Sequence, residues 1–435
     1  MLKNYYRNLK KIFDFLQSIW NKGFFHVLVA NVLIAIVAFG SQLFVAKILT
    51  DVQLGYIKIF QSITQILSLI AGMGFSTSAL IVCSGTQNVK QKLEHFSVAL
   101  YAVVPISMII WVLFIVFNQC GLWTPIPEVK SLFDEYSFIV IFTAITAVYT
   151  AFIQSSKIFK KYSNLVVVTK LISIGFIVIF SYLRGFYGFF EGTCIGLFLS
   201  LIINIVFVKK EFDFYIEKKI GKLFFQVKKQ FKIGIHGLGT NVFGMLASNM
   251  DIIFMNLLLT SQLSTIGQYG FAAIIVTGLN MIQGTIVQVA VPYLAKYNDN
   301  SNVMIYLLKK YNKILFFGTI VILLLLYMFM PILVKLVYGD KYIEGLSYLM
   351  FLLGVWTFKC FNAINSAYFL ASGKSYLSNL INFLNMVFTA SVVFITLFFF
   401  TVKIMIIGMI VINLCITLYS CLLVKKSVNG KFVEN

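Results

Sequence analysis

Two lysines inside long apolar runs are the residues best able to contact an anionic ligand. Lys359 lies 14 residues into a run that begins near Gly345, about 21 Å along a helix at ~1.5 Å per residue. At that depth in a membrane a lysine costs about 2.5–3.5 kcal/mol unless it faces water or an anion. Lys170 lies only about 10 Å from one end of its run, at ~1.5 Å per residue. The sequence predicts an anion-binding role for both lysines. The alternatives are a carbonyl or carboxylate partner for Lys359, and a Lys170 side chain that reaches the surface.

Asp251 is the one carboxylate well inside an apolar run. Asn241 and Ser248 precede it at helical spacing and form a polar stripe with it. Such a carboxylate has three interpretations: a proton or sodium site coupled to an ion gradient, a counter-ion for a lysine, or a hydrogen bond between two halves of the protein. No second carboxylate accompanies it, which weakens the cation-site interpretation.

Further polar side chains recur at helical spacing on other apolar runs. They are Gln61, Gln65, Asn280, Gln283 and Asn362. Asn362 shares a helix face with Lys359 at a separation of three residues. These side chains either line a path for a polar molecule or hold neighbouring helices together through hydrogen bonds.

The composition defines the elements that must position these residues. The chain has 435 residues, of which 60% are hydrophobic and 11% charged, and its mean hydropathy is +0.92. A soluble fold needs far more surface charge, and a disordered chain has few apolar residues. The composition therefore excludes both a soluble globular protein and a disordered chain.

Twelve apolar runs are each long enough to cross a membrane as a helix. They lie at 24–49, 56–84, 96–118, 133–155, 163–183, 188–208, 233–259, 267–294, 313–337, 345–370, 377–400 and 404–424. The strands of a membrane barrel would alternate polar and apolar residues, and these runs do not. The sequence therefore predicts an all-α polytopic membrane protein with 12 transmembrane helices.

Basic residues predict the orientation of these helices. Of 35 lysines and arginines, 26 fall on segments that would share one side with the N-terminus, and four fall on the other side. Because lysine-rich loops stay in the cytoplasm, both termini are predicted to be cytoplasmic. The net charge of +20 thus reflects topology, and no nucleic-acid partner is expected. Lys47, Lys58 and Lys335 lie near outer span ends, where snorkelling explains them.

The same map divides the chain into five parts. We expect an amphipathic cytoplasmic segment at 1–22, a six-helix lobe at 23–208, a basic cytoplasmic linker at 209–232, a second six-helix lobe at 233–424 and a cytoplasmic tail at 425–435. Phenylalanines among the lysines of the linker predict a helix on the inner leaflet. The six cysteines are scattered without metal-ligand spacing, so neither a metal nor a cofactor is expected.

A short internal repeat supports two related halves. Leu49-Thr50-Asp51 leads to Gly55-Tyr56, and Leu259-Thr260-Ser261 leads to Gly267-Gln268-Tyr269, at an offset of about 210 residues. Six helices are an even number, so the two copies would have the same orientation. Parallel six-helix halves around a central cavity are a transporter architecture.

Several motifs of the chain resemble those of bacterial polysaccharide exporters. Asn249-Met250-Asp251-Ile252-Ile253 followed by Gly267-Gln268-Tyr269-Gly270-Phe271-Ala272 is similar to their D-hhh…G-x-Y-x-x-A signature. The tract 331–342, Leu54-Gly55-Tyr56 and Ala371-Ser372-Gly373-Lys374 resemble their other short elements. The order and spacing of these matches indicate the Wzx-type O-antigen flippase group, in the superfamily that also contains the MATE exporters (the MOP superfamily).

The resemblance implies a function. Members of the group move undecaprenyl-diphosphate-linked oligosaccharide from the inner to the outer leaflet of the bacterial inner membrane, by alternating access between two lobes. It implies membrane lipids and polysaccharide polymerase machinery as further partners. In such a protein Lys170 and Lys359, at different depths, would form a two-step path for the diphosphate.

Three other functions remain as alternatives. A MATE-type drug antiporter for cations would have an acidic cavity, whereas here five lysines and one aspartate lie within spans. A membrane O-antigen polymerase or glycosyltransferase needs a charged cluster in a large outer loop, and the longest predicted outer loop, 119–132, contains only Glu128 and Lys130. For a channel, no filter sequence is present.

Overall fold

The computed structural model describes residues 24–156, 158–212, 223–296 and 301–428. The predicted amphipathic segment 1–22 lies outside the described residues, as do 213–222 of the predicted linker and 429–435 of the predicted tail.

All regular secondary structure of the described residues is helical, in thirteen helices. They are α1 (Phe24–Ile48), α2 (Asp51–Ala71), α3 (Phe75–Gly85), α4 (Val89–Gln119), α5 (Pro127–Tyr136), α6 (Ile139–Ser155), α7 (Phe159–Phe212), α8 (Leu223–Leu258), α9 (Leu263–Lys296), α10 (Ser301–Tyr338), α11 (Ile343–Ala371), α12 (Ser375–Phe399) and α13 (Val402–Val428). Each of the twelve apolar runs falls on one of these helices or on a pair of them. The all-helical class follows because a helix satisfies its backbone hydrogen bonds internally, as a lipid environment requires.

The long helix α7 consists of two arms that reverse at Gly185. This glycine has φ 60° and ψ −130°, a backbone conformation that other residues rarely adopt. The arms then pack closely along Gly188 and Gly192, where an added Cβ would lie 2.0 Å from the Phe180 carbonyl oxygen and 2.5 Å from that of Phe176. Each arm is about 40 Å long at ~1.5 Å per residue, enough to cross a membrane.

The described helices have the length and surface of membrane spans. Eight of them are long and apolar enough to cross a membrane, or nine when the pair α5 and α6, bent by 49°, is taken as one span. In this count of eight or nine spans, the two arms of α7 are taken as a single span. Large apolar side chains lie exposed on α10, among them Leu324 and Met328, as expected for a surface in contact with lipid. The polytopic class is confirmed, and twelve crossings remain a prediction.

Spatial proximity divides the chain into two compact units that do not follow chain order. The first contains Ala71–Ile110 and Phe138–His236, and its core includes Phe96 stacked on Phe152 with ring centres 4.3 Å apart. The second contains Gln42–Ile70, Trp111–Ser137 and Gly237–Asn435. The division into lobes at 23–208 and 233–424 stays a prediction.

In the second unit, α11 is the central helix. It packs against α9, α10, α12 and α13. The apolar core of this part includes Leu294 of α9, Ile364 and Phe369 of α11, and Ile381 of α12, all nearly inaccessible to solvent. This packing holds the middle of α9 against the middle of α11, where several predicted site residues lie.

Candidate functional site

The carboxylate of Asp251 is buried between α8 and α9. Its side chain is 7% exposed. The hydroxyl of the fully buried Tyr269 donates a hydrogen bond to Oδ2, and the backbone N–H of Ile252 donates to Oδ1 at 2.9 Å. The turn between α8 and α9 reverses the chain and so brings residues 251 and 269 together. A buried carboxylate is tolerated where its oxygens accept hydrogen bonds in this way.

Lys359 of α11 completes a charged group around this carboxylate. The side chain of Lys359 is partly buried and interacts electrostatically with Asp251. The two are not a contact ion pair, because the salt bridges within 4.0 Å in the described chain are Lys161–Glu211 and Arg184–Glu191. We call Asp251, Tyr269 and Lys359 the Asp251 cluster.

Tyr269 was absent from the predicted site residues. The sequence does contain an indication of its role, because Tyr269 and Asp251 belong to the same motif, on the two consecutive helices α9 and α8. A buried tyrosine hydroxyl needs a hydrogen-bond partner, and Asp251 is the nearby carboxylate.

Three of the predicted amide side chains lie near the Asp251 cluster on α9 and α11. The Nε2 of Gln283 donates to the backbone carbonyl of Lys359 at 3.1 Å. The carbonyl oxygens of Asn280 and Asn362 are buried and have no hydrogen-bond partner among the described residues. Asn280 precedes Gln283 by one helical turn, and Asn362 follows Lys359 by one. Together they give this part of the helix interface acceptors that a hydroxyl group could satisfy.

Other predicted residues are not gathered at this cluster. Asn241, Ser248 and Gln65 are exposed in the structure. Lys170 is exposed on α7, in the other compact unit from Lys359. The two-lysine path therefore remains a prediction.

The prediction that Lys58 snorkels to the surface is wrong. Its side chain is 9% exposed, and its Nζ donates to the Oε1 atoms of Gln42 and Gln61, both at 3.4 Å. The aliphatic part packs on Gly270 of α9, where an added Cβ would lie 2.7 Å from the lysine Cγ. The side chain of Lys58 therefore faces the neighbouring helix α9. Gln61, which the sequence places on a possible ligand path, accepts a hydrogen bond from this lysine.

The two segments of the internal repeat contact each other. An added Cβ on Gly267 would lie 1.7 Å from the Asp51 carbonyl oxygen, and one on Gly55 would lie 3.0 Å from that of Leu263. The carboxylate of Asp51 accepts hydrogen bonds from Ser264 and from Gln268 Nε2, the latter at 3.3 Å. The repeated Gly-x-Tyr and Gly-Tyr sequences thus supply the small residues that let α2 and α9 approach at their N-terminal ends.

Lys341, one of the four basic residues that the sequence places on the outer side, contacts the C-terminal end of α1. Its Nζ donates to the carbonyl oxygens of Ala46, at 2.9 Å, Lys47 and Leu49. Burial lowers the pKa of Lys341, and Asp51 opposes this shift. A cation at a helix C-terminus satisfies carbonyls that have no partner within the helix.

The described residues contain no group of three or more histidine, cysteine or carboxylate side chains that could hold a metal ion. The chemistry available at the Asp251 cluster is therefore that of an ammonium, a carboxylate, a phenol and amides. Such a set can bind a polar or anionic molecule and can exchange a proton.

Comparison with known proteins identifies the fold and the family. The chain is similar to the inward-facing structure of a multidrug resistance MATE family transporter of the MOP superfamily, at 13% identity and a TM-score of 0.70, with 94% of this chain and 100% of that chain covered. A mutant MATE transporter of Vibrio cholerae is similar at 14% identity and a TM-score of 0.63, over 95% of this chain and 98% of that one. No curated protein sequence matches significantly.

The profile of a family described as polysaccharide biosynthesis protein matches residues 44–347. The match covers more than half of the chain and contains α2 to α10 together with the junction at Lys341. The structural likeness identifies a multi-pass membrane protein with the fold of MATE transporters. The chain belongs to the polysaccharide biosynthesis protein family.

Proposed function

We propose that the protein is a flippase that moves an undecaprenyl-diphosphate-linked oligosaccharide from the inner to the outer leaflet of the bacterial inner membrane. It would carry O-antigen or another surface polysaccharide unit by alternating access, with both termini in the cytoplasm. The observation that carries the proposal is the Asp251 cluster, which places a lysine deep in an apolar helical unit of a polysaccharide biosynthesis family member.

The substrate class makes demands that this cluster can meet. A lipid-linked diphosphate sugar has an anionic head and many hydroxyl groups. The ammonium of Lys359 would bind the diphosphate, since charge-assisted hydrogen bonds to phosphate are among the stronger polar contacts. The buried carbonyl oxygens of Asn280 and Asn362 would accept hydrogen bonds from sugar hydroxyls. Asp251 would balance the charge of Lys359 when no substrate is bound.

Lys170 extends this hypothesis to the cytoplasmic side. It is exposed on α7, within an apolar span. We propose that it contacts the diphosphate first and passes it to Lys359. Transport coupled to a proton or sodium gradient would use Asp251, whose carboxylate is the buried acid of the cluster.

A strain that lacks the gene tests the function directly. We expect it to accumulate lipid-linked oligosaccharide on the inner leaflet and to lose its surface glycan, both measurable by glycan labelling and lipid extraction. Normal surface glycan in this strain would overturn the flippase proposal, and with it the expected association with a polymerase.

Variants of the two lysines test the path. Lys359→Ala and Lys170→Ala should each reduce glycan export roughly tenfold or more, because a hydrogen bond to a charged group contributes about 1.5–3 kcal/mol. Lys403→Ala, which removes an exposed lysine at the start of α13, is the matched control and should export normally. Normal export by the first two variants at matched protein levels would refute the path.

A MATE-type drug antiporter is the second candidate, favoured by the structural likeness to multidrug transporters. It predicts that cells expressing the protein resist cationic drugs, and that Asp251→Asn removes this resistance. The flippase proposal predicts no such resistance. A flux that ignores both pH and sodium gradients would exclude the coupling role of Asp251 under either function.

A further inference from the structure

The first turns of α8 form a second basic site, whose Lys229 precedes Asp251 by 22 residues on the same helix. Between Leu223 and Ile235 the exposed face of this helix displays two phenylalanines and three lysines: Phe224, Phe225, Lys228, Lys229 and Lys232. Phe224 is 83% exposed and Phe225 65%. Aromatic rings interleaved with lysines on one helix face are typical of a helix that lies at a membrane surface. This part of the helix ends the segment for which the sequence predicts contact with the inner leaflet.

A cavity separates this helix from α3 and α4 within the first compact unit. Its volume is about 460 Å³, within the ~300–1,000 Å³ of typical ligand sites. Val82 and His95 line it from α3 and α4, and Phe225, Lys229 and Gln230 line it from α8. A second cavity of about 440 Å³ lies along the exposed face, and it shares Phe225 and Lys229 with the first. We call the two together the α8 groove.

Gln230 lines the groove and gives it a buried polar group. Its side chain is 2% exposed, and its Nε2 donates to the backbone carbonyl of His95 at 2.9 Å. Its Oε1 is buried and accepts no hydrogen bond from the described residues. A buried carbonyl oxygen without a donor is costly. A hydroxyl donor bound in the cavity would satisfy it.

The charges of the groove are mostly positive. Lys229 lies at the point that both cavities share, and Lys228 and Lys232 line the outer one. His95 also interacts electrostatically with Lys229. The carboxylate of Glu94 lies close by and accepts a hydrogen bond from Gln226 Nε2 at 2.9 Å. The groove therefore favours an anion, next to an apolar wall of Phe225 and Val82.

We propose that the α8 groove binds the headgroup of an anionic phospholipid that combines a phosphate with a hydroxyl group, as phosphatidylglycerol does. The phosphate lies against Lys229 and its two neighbours on the exposed face. The glycerol hydroxyl donates to Gln230 Oε1, and an acyl chain follows Phe225. The bound lipid fixes the start of α8 at the membrane surface, independently of any transported substrate.

Native mass spectrometry of the full-length protein tests the proposal. Protein purified from mixed phosphatidylglycerol and phosphatidylcholine vesicles should retain phosphatidylglycerol preferentially. Lys229→Gln should reduce this preference about fivefold, since a lysine near an anionic surface contributes about that factor. In vesicles that also contain phosphatidic acid, which has the phosphate without the headgroup glycerol, the wild type should prefer phosphatidylglycerol and Gln230→Leu should not.

Controls keep the result interpretable. Lys403→Gln removes an exposed lysine elsewhere and should retain lipid as the wild type does. The Lys229→Gln side chain is exposed, so the variant is expected to remain folded, which size-exclusion chromatography checks. Equal retention of phosphatidylglycerol and phosphatidylcholine, or an unchanged preference in Lys229→Gln, would overturn the proposal. Displacement of the lipid by millimolar glycerol phosphate alone would identify a free phosphate as the ligand and would also overturn it.

Discussion

The contact between Gly267 and Asp51 makes Gly267→Ala a strong perturbation of the junction between α2 and α9. The added Cβ would lie 1.7 Å from the Asp51 carbonyl oxygen, so the two backbones would have to separate by about 1.3 Å to reach even 3.0 Å. Overpacking of this kind costs about 1–3 kcal/mol. The separation also breaks a hydrogen bond from Ser264 or Gln268 to the Asp51 carboxylate, which adds about 1.5–3 kcal/mol.

We therefore expect Gly267→Ala to lower the free energy of unfolding by about 3–5 kcal/mol. The assay is thermal unfolding in detergent, followed by fluorescence-detected size-exclusion chromatography of a tagged protein. The apparent Tm should fall by several degrees. Gly318→Ala on α10 is the matched control, because nothing lies within 4 Å of its added Cβ. That variant should be neutral or more stable by up to about 1 kcal/mol.

The critical result is the difference between the two glycine variants in the change of Tm, which should be negative for Gly267→Ala and zero or positive for Gly318→Ala. A wild-type Tm for Gly267→Ala would mean that α2 and α9 do not approach as closely as described. An equal loss in both variants would mean that glycine in any of these helices matters for a reason other than close contact.

Three further predictions concern the same region and α7. The Gln268 amide donates to the Asp51 carboxylate and to the Lys341 carbonyl oxygen, and it accepts from the Gly345 N–H. Gln268→Leu removes all three hydrogen bonds, so the free energy of unfolding should fall by about 2–4 kcal/mol in the same thermal assay. Gln65→Leu, which changes an exposed glutamine of α2, is its control. Because burial lowers the pKa of Lys341 below 10.5, the folded state binds fewer protons than the unfolded state between the lowered pKa and 10.5. The Tm of the wild type relative to Lys341→Met should then rise as pH increases through that interval, and a constant difference up to about pH 10.5 would contradict the assignment. Gly188→Ala should separate the two arms of α7 and cost about 1–3 kcal/mol, whereas Gly175→Ala, with nothing within 4 Å, should not, and equal Tm values for the two would contradict the packing described.

The position of Lys58 illustrates why side-chain faces were hard to predict. A lysine near a span end can either reach the membrane surface or pack against a neighbouring helix, and its position along the chain does not distinguish the two. The position of Lys58 near a span end predicts snorkelling. It is buried because Gly55 and Gly270 allow α2 and α9 to pack closely around it.

The family was within reach of the sequence, since the motifs around Asp251 and Gly267 led to the polysaccharide exporters and the family profile matches residues 44–347. Tyr269 belongs to the same motif, but its role depends on the hairpin geometry. A hydrogen bond across a hairpin depends on the rotation of both helices, and spacing along the chain does not specify that rotation.

The all-helical membrane class, and the identity of the charged residues within it, follow from the amino-acid sequence alone. The physical reason is the free energy of polar groups in lipid. Backbone groups must form hydrogen bonds within a helix, and each charge in an apolar run raises the free energy of insertion. The packing of the helices, in contrast, specifies which of those charges have partners. Asp251 receives the Tyr269 hydroxyl, Lys341 closes α1, and Lys58 is buried on Gly270. These outcomes depend on which helix faces lie against each other, and small residues at the contacts decide that packing.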